Sequence, residues 1–147
     1  MVNVCIQGKQ QSPINIKSKN AIQCGALCDL IFYYRTSMCN LLNTTKNIIL
    51  DYDNGSYVLY NGQVFELDKL SFSIPASHKI DNYSSPIELQ LHHRCPDTSE
   101  ILIIAIFIDI NDAVSKSNMF LELLFNYFNS SSPKLVFYFK EIDSMRE

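Results

Sequence analysis

Two runs of alternating residues, Leu67 to Ile74 and Pro86 to His93, constrain this chain more than any other feature. In a strand every second side chain points to the same face. The first run therefore presents Ser71 and Ser73 together, and the second presents Glu88, Gln90 and His92 together. Two such strands laid side by side could close a tetrahedral metal site, but these side chains cannot. Hydroxyls and a carboxamide are poor zinc ligands beside imidazole, thiolate or carboxylate.

The rest of the chain reads mostly as strands. Ser12-Pro13-Ile14-Asn15-Ile16 is a proline-fixed extended segment, and Leu30 to Arg35 and Asn47 to Tyr52 are rich in β-branched and aromatic residues. Asp53-Asn54-Gly55-Ser56 is a turn signal expected to join Asn47–Tyr52 to Tyr57–Tyr60 as a hairpin. Asn61-Gly62 is a second turn, leading into Val64 to Ile74. Turn signals about every ten residues favour an antiparallel meander. Ile101 to Ile108 is an apolar run that fits a buried strand and is too short to cross a membrane as a helix. From Ser117 to Phe128 the period becomes helical, with Ser117 or Asn118 as N-cap and Met119, Phe120, Leu123, Leu124, Tyr127 and Phe128 on one face. Leu135 to Phe139 reads as a last strand.

With 147 residues, 47% of them hydrophobic and 18% charged, one soluble globular domain with a real core is expected. A net charge of -3 gives no general attraction to nucleic acid, anionic lipid or sulfated polysaccharide. Met1 to Lys9 has no apolar core of signal-peptide length, so synthesis in a cytosol-like compartment is expected. The odd set Cys5, Cys24, Cys28, Cys39 and Cys95 fits that reading. Cys24 and Cys28 have the spacing of a zinc half-site but no second Cys/His pair, so reduced, partly buried thiols are expected. The sequons at Asn43, Asn54, Asn82 and Asn129 read as coincidences of an Asn- and Ser-rich chain.

Four stretches, in order and with matching spacing, carry a resemblance to the α-class carbonic anhydrases. Gly8-Lys9-Gln10-Gln11-Ser12-Pro13-Ile14-Asn15-Ile16 is similar to the family's amino-terminal signature. Phe65-Glu66-Leu67 through Leu70-Ser71-Phe72-Ser73-Ile74 resembles its strand ending in Phe-His-Phe-His-Trp, and Ser77-His78-Lys79 stands where it has Glu-His-Thr. Pro86-Ile87-Glu88-Leu89-Gln90-Leu91-His92-His93 resembles its Pro-x-Glu-Leu-His-Leu-Val-His strand, and Ile104 to Ile108 the apolar strand after it. The resemblance implies a mainly β fold, a central sheet of antiparallel and mixed strands with a peripheral helix, in truncated form. Residues 1–147 would form a single carbonic-anhydrase-like domain lacking the family's C-terminal part.

In the family three histidines hold zinc, which lowers the pKa of a bound water so that hydroxide attacks carbon dioxide. Carried over by position, those histidines become Ser71, Ser73 and Gln90, so neither a metal cofactor nor hydratase activity is expected. Glu88 matches the carboxylate that orients a zinc-bound histidine. With its partner gone it is a relic, a solvated carboxylate, or one held by hydrogen bonds. The proton-shuttle histidine falls near Lys46, which does not titrate near neutrality. His92 and His78 are candidates for lining the former pocket, but with His93 and Cys95 they are too few or too scattered to rebuild a metal site. Cys95 with His93 lacks the orienting group of a nucleophilic pair.

The expected role is therefore non-enzymatic: a structural or protein-interaction subunit whose truncated sheet edge pairs with protein partners or with itself. A rearranged Leu135–Phe139 strand, a second copy or a different protein would cover that edge. The alternative is a carbohydrate- or receptor-binding module, like the poxvirus surface protein of this family that binds glycosaminoglycan. Acidic net charge disfavours it. A composition heavy in Asn, Ile, Ser, Lys and Tyr is what an AT-rich genome encodes, as in some large DNA viruses and some protists; combined with a truncated, inactive scaffold and the poxvirus precedent, it makes a virion component the expected setting.

Overall fold

The computed structural model describes residues 12–25, 28–35, 38–43, 48–109 and 136–138. Among these residues ten strands follow one another: β1 (Asn15–Ile16), β2 (Leu30–Tyr33), β3 (Met38–Asn43), β4 (Ile48–Tyr52), β5 (Tyr57–Tyr60), β6 (Gln63–Ser73), β7 (Lys79–Ile80), β8 (Ile87–Arg94), β9 (Ile101–Ile108) and β10 (Val136–Tyr138). A 3-10 turn, Ser18–Asn20, follows β1. Among the described residues no helix is long and apolar enough to cross a membrane. The expected helix over 117–128 and its N-cap lie outside the described residues, as do Gly8 to Gln11, Cys5, Lys46 and Asn129.

The sheet is organised around β6, whose eleven residues use both edges. On one edge β8 pairs with it from Glu66 to Ser73. The other edge is shared end to end: β5 takes Gln63 to Glu66 and β4 takes Lys69 to Phe72. Outward from β4 come β3 and β10, outward from β5 comes β2, and outward from β8 comes β9. This corrects the expected hairpin of Asn47–Tyr52 with Tyr57–Tyr60, because β4 and β5 pair with β6 and not with each other. The turn at Asp53 to Ser56 is real, but Arg35 fills it: its guanidinium bonds the Asn54 carbonyl and packs on Gly55. The Arg35 amide also donates to the buried Ser56 hydroxyl, at 3.0 Å. Asn61-Gly62 does make a hairpin, and both residues have positive φ (51° and 79°), the backbone hand that matches strand twist.

A bulge sets which side chains reach the core. Leu67 pairs with His93 and Lys69 with His92, leaving Asp68 as the extra residue. Phe65 and Leu67 are buried before it, and Leu70 and Phe72 after it. The run Leu67 to Ile74 is therefore not one uninterrupted alternation: Leu67 is on the core side, while Ser71 and Ser73 face the other way. The register aligns Leu50, Leu70, Leu91 and Ile104 in one row across four strands. Leu50, Leu70 and Leu91 belong to a core cluster with Tyr52, Leu67, Phe72 and Ile87. A second cluster of Val58, Phe65 and Cys95 fills the space under β2 and β5, with Leu30, Tyr34 and Leu102 against it.

Two expectations change at the margins. The last strand exists, but β10 pairs with β3 at the opposite side of the sheet from β9. It therefore does not cover the β9 edge. Nor is β9 fully buried: Ile101 and Ile103 are 58% and 47% exposed, and Ala105 is exposed. Cys24 and Cys28 are joined by a disulfide, their Cα atoms 5.7 Å apart and within bridging range, and both are exposed. The expected reduced, partly buried thiols give way to this bridge, while Cys95 is a buried free thiol.

Leu50 has no solvent exposure and lies beside Leu70 in the aliphatic row. Leu50→Ala should destabilise the fold by about 3 kcal/mol through lost burial and a residual cavity. The shift in urea midpoint at unchanged slope would measure it.

Candidate functional site

The face of the β6/β8 pair opposite the core is polar at its centre. Cross-strand partners share a face, and the register sets Ser71 opposite Gln90 and Ser73 opposite Glu88. The next strands extend the first of these rows with Ile49 and Ala105. The structure thus brings Ser71, Ser73, Glu88, Gln90 and His92 onto one face, as the alternation predicts.

Hydrogen bonds divide these groups in two. Ser71 Oγ lies 2.8 Å from His92 Nε2. Burial, with the Lys69 cation adding to it, holds His92 below the ordinary imidazole range, although Asp68 acts the other way. Gln90 turns toward Glu88 and donates from Nε2 to Oε1 at 2.7 Å, with a longer contact of 3.4 Å to Ser77 Oγ.

Glu88 is the centre of the second group and has no solvent exposure. Its Oε2 accepts from the Ser77 amide (2.9 Å), the Ser77 hydroxyl (3.1 Å) and the His78 amide (2.9 Å). Its Oε1 accepts from Gln90 and from His78 Nδ1, the latter at 2.7 Å. Burial alone would raise its pKa, but the bonds from Gln90, His78 and Ser77 outweigh it and hold the carboxyl at about 2. Of the three readings the sequence leaves open, the structure supports the hydrogen-bonded one. Glu88 also has a histidine partner, His78, ten residues before it.

His78 carries the network outward. Its Nε2 lies 2.7 Å from Ser12 Oγ, and its side chain is 18% exposed. Ser12 begins an arm that β1 docks in parallel on β7. Backbone bonds from Lys79 to Ile14 and from Asp81 to Ile16 fix the arm. Asn82 adds to this by bonding Asn15 and Lys17, and Asp81 by accepting from the Ser18 amide and hydroxyl. The arm thus reaches the buried carboxylate through one imidazole. The sequence marked Ser12 only as part of an extended segment and missed this connection, which spans 66 residues.

The remaining candidates lie elsewhere. His93 is buried on the core side, stacked on Tyr34, with Nε2 2.9 Å from the Tyr34 hydroxyl. Burial pushes the Tyr34 phenol up, with Tyr52 adding, and pushes His93 down. The Cys95 thiol takes its bond from Gln63 Nε2, at 3.1 Å. Among the described residues no three His, Cys, Asp or Glu side chains are grouped so as to hold a metal. The donor set at Ser71, Ser73 and Gln90 does not fit zinc: it offers neutral oxygens and an amide, two of them already bonded to His92 and Glu88.

Comparison with known proteins agrees with this geometry. The sequence model described as eukaryotic-type carbonic anhydrase matches residues 1–136. A carbonic anhydrase of Nostoc sp. is 27% identical over 107 residues, which cover 71% of this chain and 40% of that protein. A dioscorin of Dioscorea polystachya is 26% identical over 104 residues, covering 70% and 38%. In three dimensions the α-carbonic anhydrase of Thermovibrio ammonificans, solved with sulfanilamide, superposes with a TM-score of 0.68 at 26% identity, covering 74% of this chain and 47% of the other. The chain thus spans about 40% of the length of these curated relatives.

Glu88 makes stability depend on acidity in a defined window. Its pKa falls on folding from an ordinary 4.5 to about 2, so its contribution is present above pH 4.5 and is lost as the pH falls through about 2. The linked free energy is on the order of 3 kcal/mol. Urea midpoints measured across that window should fall steeply for the native sequence and much less for Glu88→Gln. That variant should also be destabilised at neutral pH by about 2–4 kcal/mol, because converging donors then face an amide.

Proposed function

Since this chain belongs to the eukaryotic-type carbonic anhydrase family, we propose that it is a scaffold of that fold without zinc-hydroxide chemistry, acting as a protein-interaction subunit of a larger assembly. The observation that carries the reading is the donor set on the polar face. At the positions the resemblance assigns to zinc ligands stand Ser71, Ser73 and Gln90, and no cluster of metal-binding side chains replaces them among the described residues. A hydroxide nucleophile at neutral pH needs a metal to lower the pKa of water. The supporting carboxylate Glu88 is turned to a different use, holding Ser77, His78 and Gln90.

The interaction surface we propose is the outer edge of β9. Among the described residues β9 pairs only with β8. Its sequence, Ile-Leu-Ile-Ile-Ala-Ile-Phe-Ile, has no charge, proline or glycine to discourage strand addition. We read residues 1–147 as one domain corresponding to the family's amino-terminal part, in which strands from another chain pair with this edge. A virus particle is the setting we favour, supported by the AT-rich style of the composition.

Two measurements test the proposal. Metal analysis of the purified protein should give far less than one zinc per chain, and carbon dioxide hydration should match buffer alone. A stoichiometric zinc with turnover overturns the scaffold reading. By sedimentation the purified chain should associate as its concentration rises, and Ile103→Lys, a charge on an exposed edge position, should weaken that association about tenfold or more. A monomer at high concentration would remove the β9 edge as the interaction surface.

A further inference from the structure

The bridge between Cys24 and Cys28 changes how the sequons of this chain read. Both cysteines are exposed, and an exposed pair of thiols stays bridged in an oxidising compartment but is kept reduced in a cytosol. Asparagine in Asn-x-Ser/Thr is glycosylated in the same exocytic compartments. The cytosol-like setting expected from the amino terminus therefore no longer argues against the sequons. Two of them begin at exposed asparagines of the described structure, Asn54-Gly55-Ser56 and Asn82-Tyr83-Ser84. We propose that Asn54 is a site of N-linked glycosylation, a covalent modification on which the scaffold reading does not depend.

The two asparagines differ in what their side chains already do. Asn54 lies in the turn between β4 and β5, where only its backbone is engaged: the carbonyl accepts from the Arg35 guanidinium, and the side-chain amide bonds none of the described residues. A shallow cleft beside it is lined by Glu66, Leu67, Asp68, Arg94 and Pro96. It offers carboxylates and a guanidinium to the hydroxyls of a first sugar. Asn82 is the internal contrast. Its Oδ1 accepts from Asn15 and Lys17 at 2.6 and 2.7 Å, and its backbone amide donates to Asn15 Oδ1 at 3.0 Å. A glycan on Asn82 would sit against the docked arm, whereas one on Asn54 displaces nothing. The third residue of the Asn54 sequon fixes the order of events. Ser56 is fully buried, and its hydroxyl accepts from the Arg35 amide at 3.0 Å. No transferase reaches that hydroxyl in the folded chain, so attachment precedes closure of the turn, while Gly55 keeps the unfolded segment pliable.

The step takes one co-reactant, an oligosaccharide carried on a lipid diphosphate. Asn54 Nδ2 forms a bond to the anomeric carbon of the sugar, and the bond from that carbon to the diphosphate oxygen breaks. The lipid diphosphate leaves with the electron pair, and the proton lost from the amide nitrogen passes to solvent. Nothing is oxidised or reduced, and the products are glycosylated Asn54 and free lipid diphosphate.

The full chain, secreted from eukaryotic cells behind a cleavable leader, tests this directly. Release by an N-glycanase in heavy-oxygen water turns each glycosylated asparagine into a labelled aspartate, which peptide mass spectrometry locates. Most copies should carry the label at Asn54 and few at Asn82. Because attachment precedes folding, chain retained inside the cells gives the same readout as chain that is secreted. Asn54→Gln, at a side chain with no bonds to the described residues, should fold as before and lose the label at that site. In the same protein Cys24 and Cys28 should resist alkylation until a reductant is added. An unlabelled Asn54, equal labelling of Asn82, or free thiols at Cys24 and Cys28 would each overturn the proposal.

Discussion

A buried carboxylate surrounded by donors organises one end of this molecule. Taking Glu88 out of water costs several kcal/mol, and only a full set of hydrogen bonds can offset that. The chain supplies them from a single loop and a single strand: the Ser77 amide and hydroxyl, the His78 amide and ring, and Gln90 two residues along. Satisfying the charge therefore dictates structure. The loop after β6 must fold back over β8, which places β7 where the arm can pair with it, and the arm is secured in turn by Asn82 and Asp81.

The second constraint is the length of β6 and the bulge within it. One edge long enough to hold β5 and β4 end to end explains how two strands joined by a tight turn remain unpaired. The extra residue at Asp68 switches the buried parity, so that both Leu67 and Leu70 reach the core. The same switch turns Ser71 and Ser73 to the opposite face, beside Gln90 and Glu88. Core and polar face are two outcomes of one local insertion.

Much of this was legible in the sequence, and the failures have physical causes. Strands β6, β8 and β9 and the Asn61-Gly62 hairpin show through alternation and turn chemistry, which are local properties. The bulge left a trace in the spacing of Phe65, Leu67, Leu70 and Phe72, where two-residue steps are interrupted by a three-residue one. The misassigned hairpin followed from a true turn signal, since turns are local whereas pairing depends on a distant edge. Met38–Asn43 carries Cys and Asn in place of β-branched residues and is a strand through its pairing with β4. At the candidate site the shared face of Ser71, Ser73, Glu88, Gln90 and His92 was readable. The link from Ser12 through His78 was not, because no periodicity connects residues 66 apart. Cys24 and Cys28 show the same limit, as their spacing suits a bridge as well as two free thiols.

The two sets of residues on this face also differ in what the fold requires of them. Ser71 and Gln90 are half-buried, and small changes there expose or bury little. Glu88 is different, because removing its charge leaves a ring of donors facing nothing suitable, a penalty that falls on folding itself. A scaffold of this family can therefore change its would-be ligand positions at little cost to stability while its supporting carboxylate stays fixed by hydrogen bonding alone. Retention of Glu88 and His78 is on this argument no sign of a metal. It reflects a charge that folding has made structural, and in doing so has placed an imidazole between a carboxylate and an exposed hydroxyl.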